Sequence, residues 1–386
     1  GMPIENDWIL YAPYSDKSLM RNFLTFDLGR KMGNYSPRTV YCELVINGDY
    51  KGIYILMEKI KRDNDRVDIA RLDSNDLSGD NLSGGYILRI DRNTDGRGHW
   101  TSNFLSVGGH SRDIQYYYPE YNNMLPQQRD YIKHYIDSFE YALHGSDFTD
   151  TSIGYAKYID VNSFIDLYII NEFSRNTDGY RLSTYMYKDR NDNGGKLTIG
   201  PFWDYNLGYG NNENCSGGLT SGWEVNGDCW QVGDNIFWFQ RLLEDNNYHE
   251  KLKSRWKYLR ERSFHQDSIF NFIDSISLSL DDAQQRNFQQ WDILGNYIWP
   301  NYYIGNTYQD ELNFLKTWIS DRLQWIDNNI VCNYNTLSYD TLMSDSHSIW
   351  NGIILKESGD YLFKTINSNG CDSISPDSFS IIPFQM

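Results

Sequence analysis

The sequence predicts an α+β fold, with a front part built on hairpin strands, a larger helical part behind it, and a small β-rich appendage at the end. Three observations predict it. Two alternating, β-branched runs near the start are joined by Asn47-Gly48. Long stretches of the middle and back repeat apolar residues every 3.6 positions. After Cys332 the composition turns to Ser, Asp and Asn with short alternating runs. The expected division is 1–330 and 335–386, which suits a chain of 386 residues and a prior of about 150 residues per domain.

The elements follow in order. Ser15-Asp16 is a capping pair for a helix over about Lys17–Met32, whose Leu19, Phe23 and Phe26 keep the helical period and which Gly33 ends. Thr39–Ile46 and Tyr50–Glu58 alternate as strands, and Asn-Gly between them marks a hairpin because both residues accept positive φ. Gly85–Ile90 reads as a further strand. Pro126 suits the first turn of a helix carrying Ile132, Ile136, Phe139 and Leu143 on one face. Asp160 caps the next, with Phe164, Ile165, Tyr168 and Phe173. Thr184–Tyr187 and Lys196–Ile199 are short strands around a turn-rich link, and Asn235–Asn329 is helical again. In the appendage, Ile353–Leu355 and Tyr361–Phe363 read as strands.

Composition excludes several functions. Lys+Arg 35 against Asp+Glu 52 leaves a net charge of −17, the wrong sign for a nucleic-acid partner or a basic membrane-surface protein. No apolar run nears the ~20 residues of a transmembrane segment. The five cysteines form no CxxC, which argues against structural zinc. Cys215 and Cys229 flank one loop that an oxidising compartment would let bridge, but buried free thiols are the expectation. The chain opens Gly-Met-Pro-Ile-Glu-Asn-Asp-Trp without a charged-then-apolar export pattern, and Gly1 reads as a tag remnant. GxSxG, HExxH and Walker motifs are missing, and the seven histidines are dispersed.

Chemistry concentrates in Asn171–Asn211. There a helix, a polar loop with Asp178, a strand hairpin and then Asp204 follow one another. Two loop carboxylates delivered in that order form the rear half of a phosphotransfer site. One orients or deprotonates a hydroxyl, and the other holds Mg²⁺ against the phosphates of ATP. Carboxylates suit the task because Mg²⁺ is a hard cation that prefers oxygen. Ser183, five residues after Asp178, stands where protein kinases place a metal-binding Asn, and Asn206 offers a further oxygen. Other motifs read as structure. Asp189-x-Asn191-x-Asn193-Gly194 imitates a calcium loop but has Gly200 where the bidentate Glu belongs, so it reads as a turn. Trp203, Trp223, Trp230 and Trp238 read as core rather than sugar platforms.

Five segments carry a resemblance: "NDWILYAPYSDKSLMRN", "INGDYKGIYILMEKIKRD", "GGYILRIDR", "NEFSRNTDGYRLSTYMYKD" and "GPFWDYNLGYGN". Running from about Asp7 to Arg262, they resemble the CotH family of spore-coat-H-type secretory kinases. The resemblance implies an atypical protein-kinase-like fold of two lobes and transfer of phosphate from ATP, with Mg or Mn, to hydroxyl residues of secreted or surface proteins. By matching motifs it implies Asp178 as the catalytic aspartate and Asp204 as the metal-binding one. It also implies a hinge where the backbone of Met57, Glu58 and Lys59 meets adenine, and the Lys17–Met32 helix in the place of the small lobe's regulatory helix. Family members carry an Arg-Gly-Asn-rich stretch and a lysine-bearing strand upstream of the segment matched by Asp7, and the sequence offers no equivalent. A reduced N-terminal lobe is therefore expected. With Lys59 and Lys61 read as solvated strand-end residues, the triphosphate is short of countercharge. The competing expectation is a non-catalytic surface or coat-assembly protein on the same scaffold. The segment "SGDYLFKTINSNGCDSISPDSFSI" resembles β-rich modules of secreted bacterial surface proteins and implies a place outside the cytoplasm.

Overall fold

The computed structural model describes residues 2–106, 108–227 and 235–330, and by their backbone 340–344, 348–350, 353–355, 359–366 and 372–381. The chain divides into two compact units, Gly1–Gln324 and Trp325–Met386.

The first unit opens with a three-stranded antiparallel sheet of β1 (Trp8–Tyr11), β2 (Thr39–Ile46) and β3 (Asp49–Glu58), in the order β1-β3-β2. Asn47 and Gly48 turn the hairpin at φ 52° and 82°, the conformation their side chains make accessible. Between β1 and β2 runs α1 (Arg21–Lys31). Its start is displaced from Lys17 to Arg21, because the Asp16 carboxylate accepts the N–H groups of Ser18 and Arg21 and the Ser18 hydroxyl. Those bonds wind 16–20 into a turn with Leu19 at φ 63°. The aspartate competes with the helix for the backbone, as Asx side chains do. Gly29 on α1 is needed for close approach: a Cβ there would lie 2.2 Å from Ser36 Oγ and 2.7 Å from Phe202.

A short α2 (Gly79–Leu82) precedes the second sheet, which comprises β4 (Tyr86–Ile90), β5 (His99–Thr101), β6 (Asp113–Tyr118), β7 (Thr184–Lys188) and β8 (Leu197–Ile199). The order is β5-β6-β4-β7-β8 and every pairing is antiparallel. All five residues of β4 are buried, as befits the central strand. Helices α3 (Pro126–His144) and α4 (Val161–Ser174) lie between β6 and β7 in the chain. Ile132, Ile136, Phe139 and Leu143 are buried on α3. The α4 helix is buried nearly all round, and the Asp160 side chain caps it by accepting from Asn162 N–H. After β8 come α5 (Trp238–Leu243), α6 (Asn246–Arg260), α7 (Gln266–Ser279), α8 (Asp281–Gln290) and α9 (Tyr308–Asn329), the last burying Leu312, Leu315, Ile319 and Leu323. Among the described residues no helix is long and apolar enough to cross a membrane.

Three expectations resolve here. The segment Asp189–Gly195 is a turn, whose Asp189 carboxylate accepts from the N–H groups of Ala70 and Arg190 and from Asn193 Nδ2. Trp238 is core, its indole N–H donating to Glu140 at 2.8 Å, whereas Trp230 lies outside the described residues. Cys215 corrects the reading of free thiols, since it is disulfide-bonded; Cys42 is a free, partly buried thiol.

The second unit carries β9 (Asp340–Ser344), β10 (Ser348–Trp350), β11 (Ile353–Leu355), β12 (Gly359–Ile366) and β13 (Asp372–Ile381). In it β10 pairs with β11, and β13 lies between antiparallel β12 and parallel β9.

Candidate functional site

The site is built where α4 ends. Arg175 closes the helix in the left-handed conformation, at φ 47° and ψ 52°, and the chain swings through Asn176–Ser183 into β7. Buried polar side chains hold this loop. Asn171 donates from Nδ2 to Gly179 C=O at 2.5 Å and accepts the Tyr205 hydroxyl at 2.8 Å. The Glu172 carboxylate accepts the N–H groups of Glu224 and Val225 and the Tyr180 hydroxyl. Arg322 of α9 pairs with Glu172 at 3.3 Å and donates to its carbonyl. A buried polar group without a partner costs about 1–3 kcal/mol, so each of these bonds restrains the loop.

Asp204 arrives from the other direction. It follows β8 at φ 64°, a conformation Asp tolerates better than most residues. Three bonds hold it there: Asn176 Nδ2 donates to its carbonyl at 3.3 Å, Ser183 Oγ donates to its carboxylate at 3.2 Å, and the next N–H, of Tyr205, goes to Asn22 Oδ1 on α1 at 2.6 Å. The loop after α4 and the segment after β8 are thereby stitched together at the end of β7.

The electrostatics follow from that closeness. Burial pushes the Asp204 carboxyl up to about 6, the negative charge of Asp178 pushes the same way, the Ser183 hydrogen bond opposes it, and Asp91 adds a smaller push. Asp178 is also raised, first by burial, with Arg181 and Arg92 pulling against it and Asp91 adding to it. Like charges brought together in a partly dehydrated place disfavour joint ionisation. The charge of Asp178 therefore acts on Asp204.

Among the sequence-predicted residues, Ser183 is bonded to Asp204, and Asp178 lies within reach of Asp204 for its charge to act there. Asn206 contributes its carbonyl to Asn211 Nδ2 at 2.9 Å. The Met57–Lys59 segment is more heavily engaged than a hinge reading expects. Met57 is in register with Ile9 of β1 and Thr39 of β2. Glu58 N–H donates to Arg38 C=O, and Lys59 C=O accepts from Arg66. Lys61 is held by Asp7 at 2.7 Å and Glu5 at 3.2 Å. The residue that sequence reasoning missed is Asp91. It directly follows β4, whose Ile90 is in register with Thr184, so Asp91 and Ser183 leave adjacent strands at the same sheet end. Its signal was present in "GGYILRIDR", a carboxylate directly after a strand like Asp204, but only the strand order makes those ends neighbours.

A family model described as CotH kinase protein matches residues 1–326. The chain belongs to the CotH family. No curated protein matches it. The match covers the whole span of the five segments and both aspartates of this CotH chain.

The donor set at the CotH site is made of hard oxygens: two carboxylates and a hydroxyl. Among the described residues no group of three His, Cys, Asp or Glu stands close enough to hold an ion alone. Magnesium seldom asks for such a cage, since it keeps waters and takes one or two carboxylates together with substrate phosphates. A half-buried Asp204 destabilised by its acidic neighbours fits that pattern, because a divalent cation would relieve both the dehydration and the repulsion.

Proposed function

We propose that this CotH chain is an atypical, two-lobed protein kinase that transfers phosphate from ATP to hydroxyl residues of secreted or surface proteins. The single observation that supports the reading most is the Asp204 carboxylate, bonded to Ser183 and within reach of the Asp178 charge, on two segments that the fold ties to each other and to α1. Asp204, assisted by Ser183, is the residue for magnesium, which when bound supplies charge neutralisation to the nucleotide phosphates. Asp178 orients the acceptor hydroxyl. As the acceptor oxygen bonds to the γ-phosphorus, the bond from phosphorus to the β,γ-bridging oxygen breaks, ADP leaves with that electron pair, and the hydroxyl proton passes to Asp178. A raised carboxyl is the better proton acceptor for such a step.

The nucleotide belongs against these aspartates rather than in the groove of about 230 Å³ lined by Tyr14, Ile53, Asn287 and Trp291, which has no acid in its lining. Its adenine end would run towards Met57–Lys59, where the engaged backbone groups leave packing as the main means of recognition. The disulfide at Cys215 supports action outside the cytoplasm, because such bonds persist in oxidising compartments. A second reading, a non-catalytic surface or coat protein, is favoured by the exposed rings of Trp299, Tyr302 and Tyr297 on the link between α8 and α9.

Incubation with radiolabelled ATP, magnesium and a generic protein acceptor tests the choice. The kinase reading expects label in the acceptor that Asp204→Ala abolishes. Equal labelling by that variant, or none by the parent, selects the non-catalytic scaffold.

A further inference from the structure

The charges of Asp178 and Asp91 both act on Asp204, and a triphosphate brought there adds more negative charge. A cation from the protein has to answer it, and the cations whose charge acts on Asp178 are Arg181 and the exposed Arg92, while others are committed elsewhere. Arg21 is paired with Asp16, Arg38 and Arg66 share the buried Glu58, and Lys61 is held by Glu5 and Asp7. Arg89 grips Asp95 with both carboxylate oxygens in reach of Nη2 and donates to Gln115.

Arg181 differs in that one of its partners is Asp178. Its guanidinium donates through Nη2 to the Asp178 carboxylate and through Nε to Thr177 C=O at 3.2 Å, with 10% of the side chain exposed. The turn that folds it back is closed by Arg181 N–H donating to Asp178 C=O at 3.1 Å and Leu182 N–H donating to the same oxygen at 2.9 Å. The base of the reaction and this cation thus share one rigid turn. A guanidinium presents five donors in a planar fork, and a fork held at its edge is oriented before any phosphate arrives.

We propose that Arg181 is a catalytic residue that contacts the γ-phosphoryl group of the nucleotide, in the place where countercharge is otherwise short. The inference rests on the kinase reading of the same site. While held by Asp178, the guanidinium balances charge on the non-bridging oxygens of the γ-phosphorus, whose bond to the bridging oxygen breaks during the step. It does so without accepting or giving a proton, since arginine stays charged. Arginine suits the role better than lysine because its fork can serve a carboxylate and a phosphate together.

The test compares ATP and ADP, which differ by the phosphoryl group in question. Calorimetry with magnesium expects the parent to bind ATP more tightly than ADP, and Arg181→Gln to lose that preference while still binding ADP. Phosphotransfer by Arg181→Gln should fall by about 100-fold or more, the scale of a lost transition-state donor, with Arg181→Lys recovering part of it. A guanidinium that only braced the loop would weaken ATP and ADP alike, and that result overturns the proposal. So does an Arg181→Gln variant that keeps both the ATP preference and the parent's turnover, which leaves the kinase reading intact. A parent that binds neither nucleotide ends the kinase reading and this inference with it.

Discussion

Asn22 of α1 accepts the backbone N–H of Tyr205 at 2.6 Å, so one buried side chain joins the helix to the residue after Asp204. Thr25, one turn further along, meets the Tyr209 hydroxyl at 2.8 Å. Movement of α1 is therefore felt at Asp204, the position proposed for magnesium. Asn22→Ala should leave the Tyr205 N–H without its partner, at a cost of about 1–3 kcal/mol. Chemical denaturation would read that loss. The same variant should weaken magnesium–ATP binding more than it weakens ADP binding without metal, because it is the Asp204 segment that loosens.

Asp204→Asn tests function against stability. Asp204 titrates near 6 in the folded chain, above the ordinary aspartate value of about 3.9. The folded state thus holds the proton more tightly than the unfolded one, and stability falls as pH rises through that window. Removing the charge should raise Tm at pH 8 relative to the parent and change it little at pH 4, while phosphotransfer disappears. A lower Tm at pH 8 would show the carboxylate contributing to the fold instead.

Glu140 offers a second pH dependence, remote from the aspartates. The fully buried carboxyl accepts from the Ser102 hydroxyl at 2.8 Å and the Trp238 indole at 2.8 Å, yet burial still raises it to about 7. Here too stability is fully present at low pH and is lost as pH rises towards 7. Glu140→Gln keeps the acceptor and removes the charge. The difference in unfolding free energy between pH 5 and pH 8 should shrink by about 3 kcal/mol, measured by urea titration at both values.

Arg322 is a buried brace for the loop that carries Asp178. It pairs with Glu172 and donates to the carbonyls of Thr220 at 2.9 Å and Gly222 at 2.7 Å. Burial lowers its pKa to about 10 against the pull of Glu172. Arg322→Met strands a buried carboxylate and should cost about 3–5 kcal/mol. In a double-mutant cycle, Glu172→Gln with Arg322→Met should cost less than the sum of the two single changes.

Much of the scaffold was legible because its signals are local. Asn47-Gly48 turns a hairpin by its own torsional freedom, and Pro126 and Asp160 start helices by what they do to the first turn. The start of α1 was misread because Asp16 cannot be known to cap its own turn rather than a helix until its partners are in place. Strands β5 and β6 went unread, for neither alternates strongly, and β6 takes its place from β4 and β5 from β6. The same holds for the site. Asp178, Ser183 and Asp204 stood out by order along the chain, while Asp91 and Arg181 gained meaning only from strand register and from the turn that folds a guanidinium onto Asp178.

By itself the sequence determined the family, the mixed α+β character and the two acidic positions around which the chemistry is proposed. Each of these is written in short segments whose periodicity or motif survives without neighbours. Tertiary structure alone decided that the charges of Asp178 and Asp91 reach Asp204, that Ser183 bonds to it and that α1 grips the residue beside it. These are meetings between segments distant in the chain, and whether they form depends on burial and hydrogen bonds that exist only once the sheets and helices have packed.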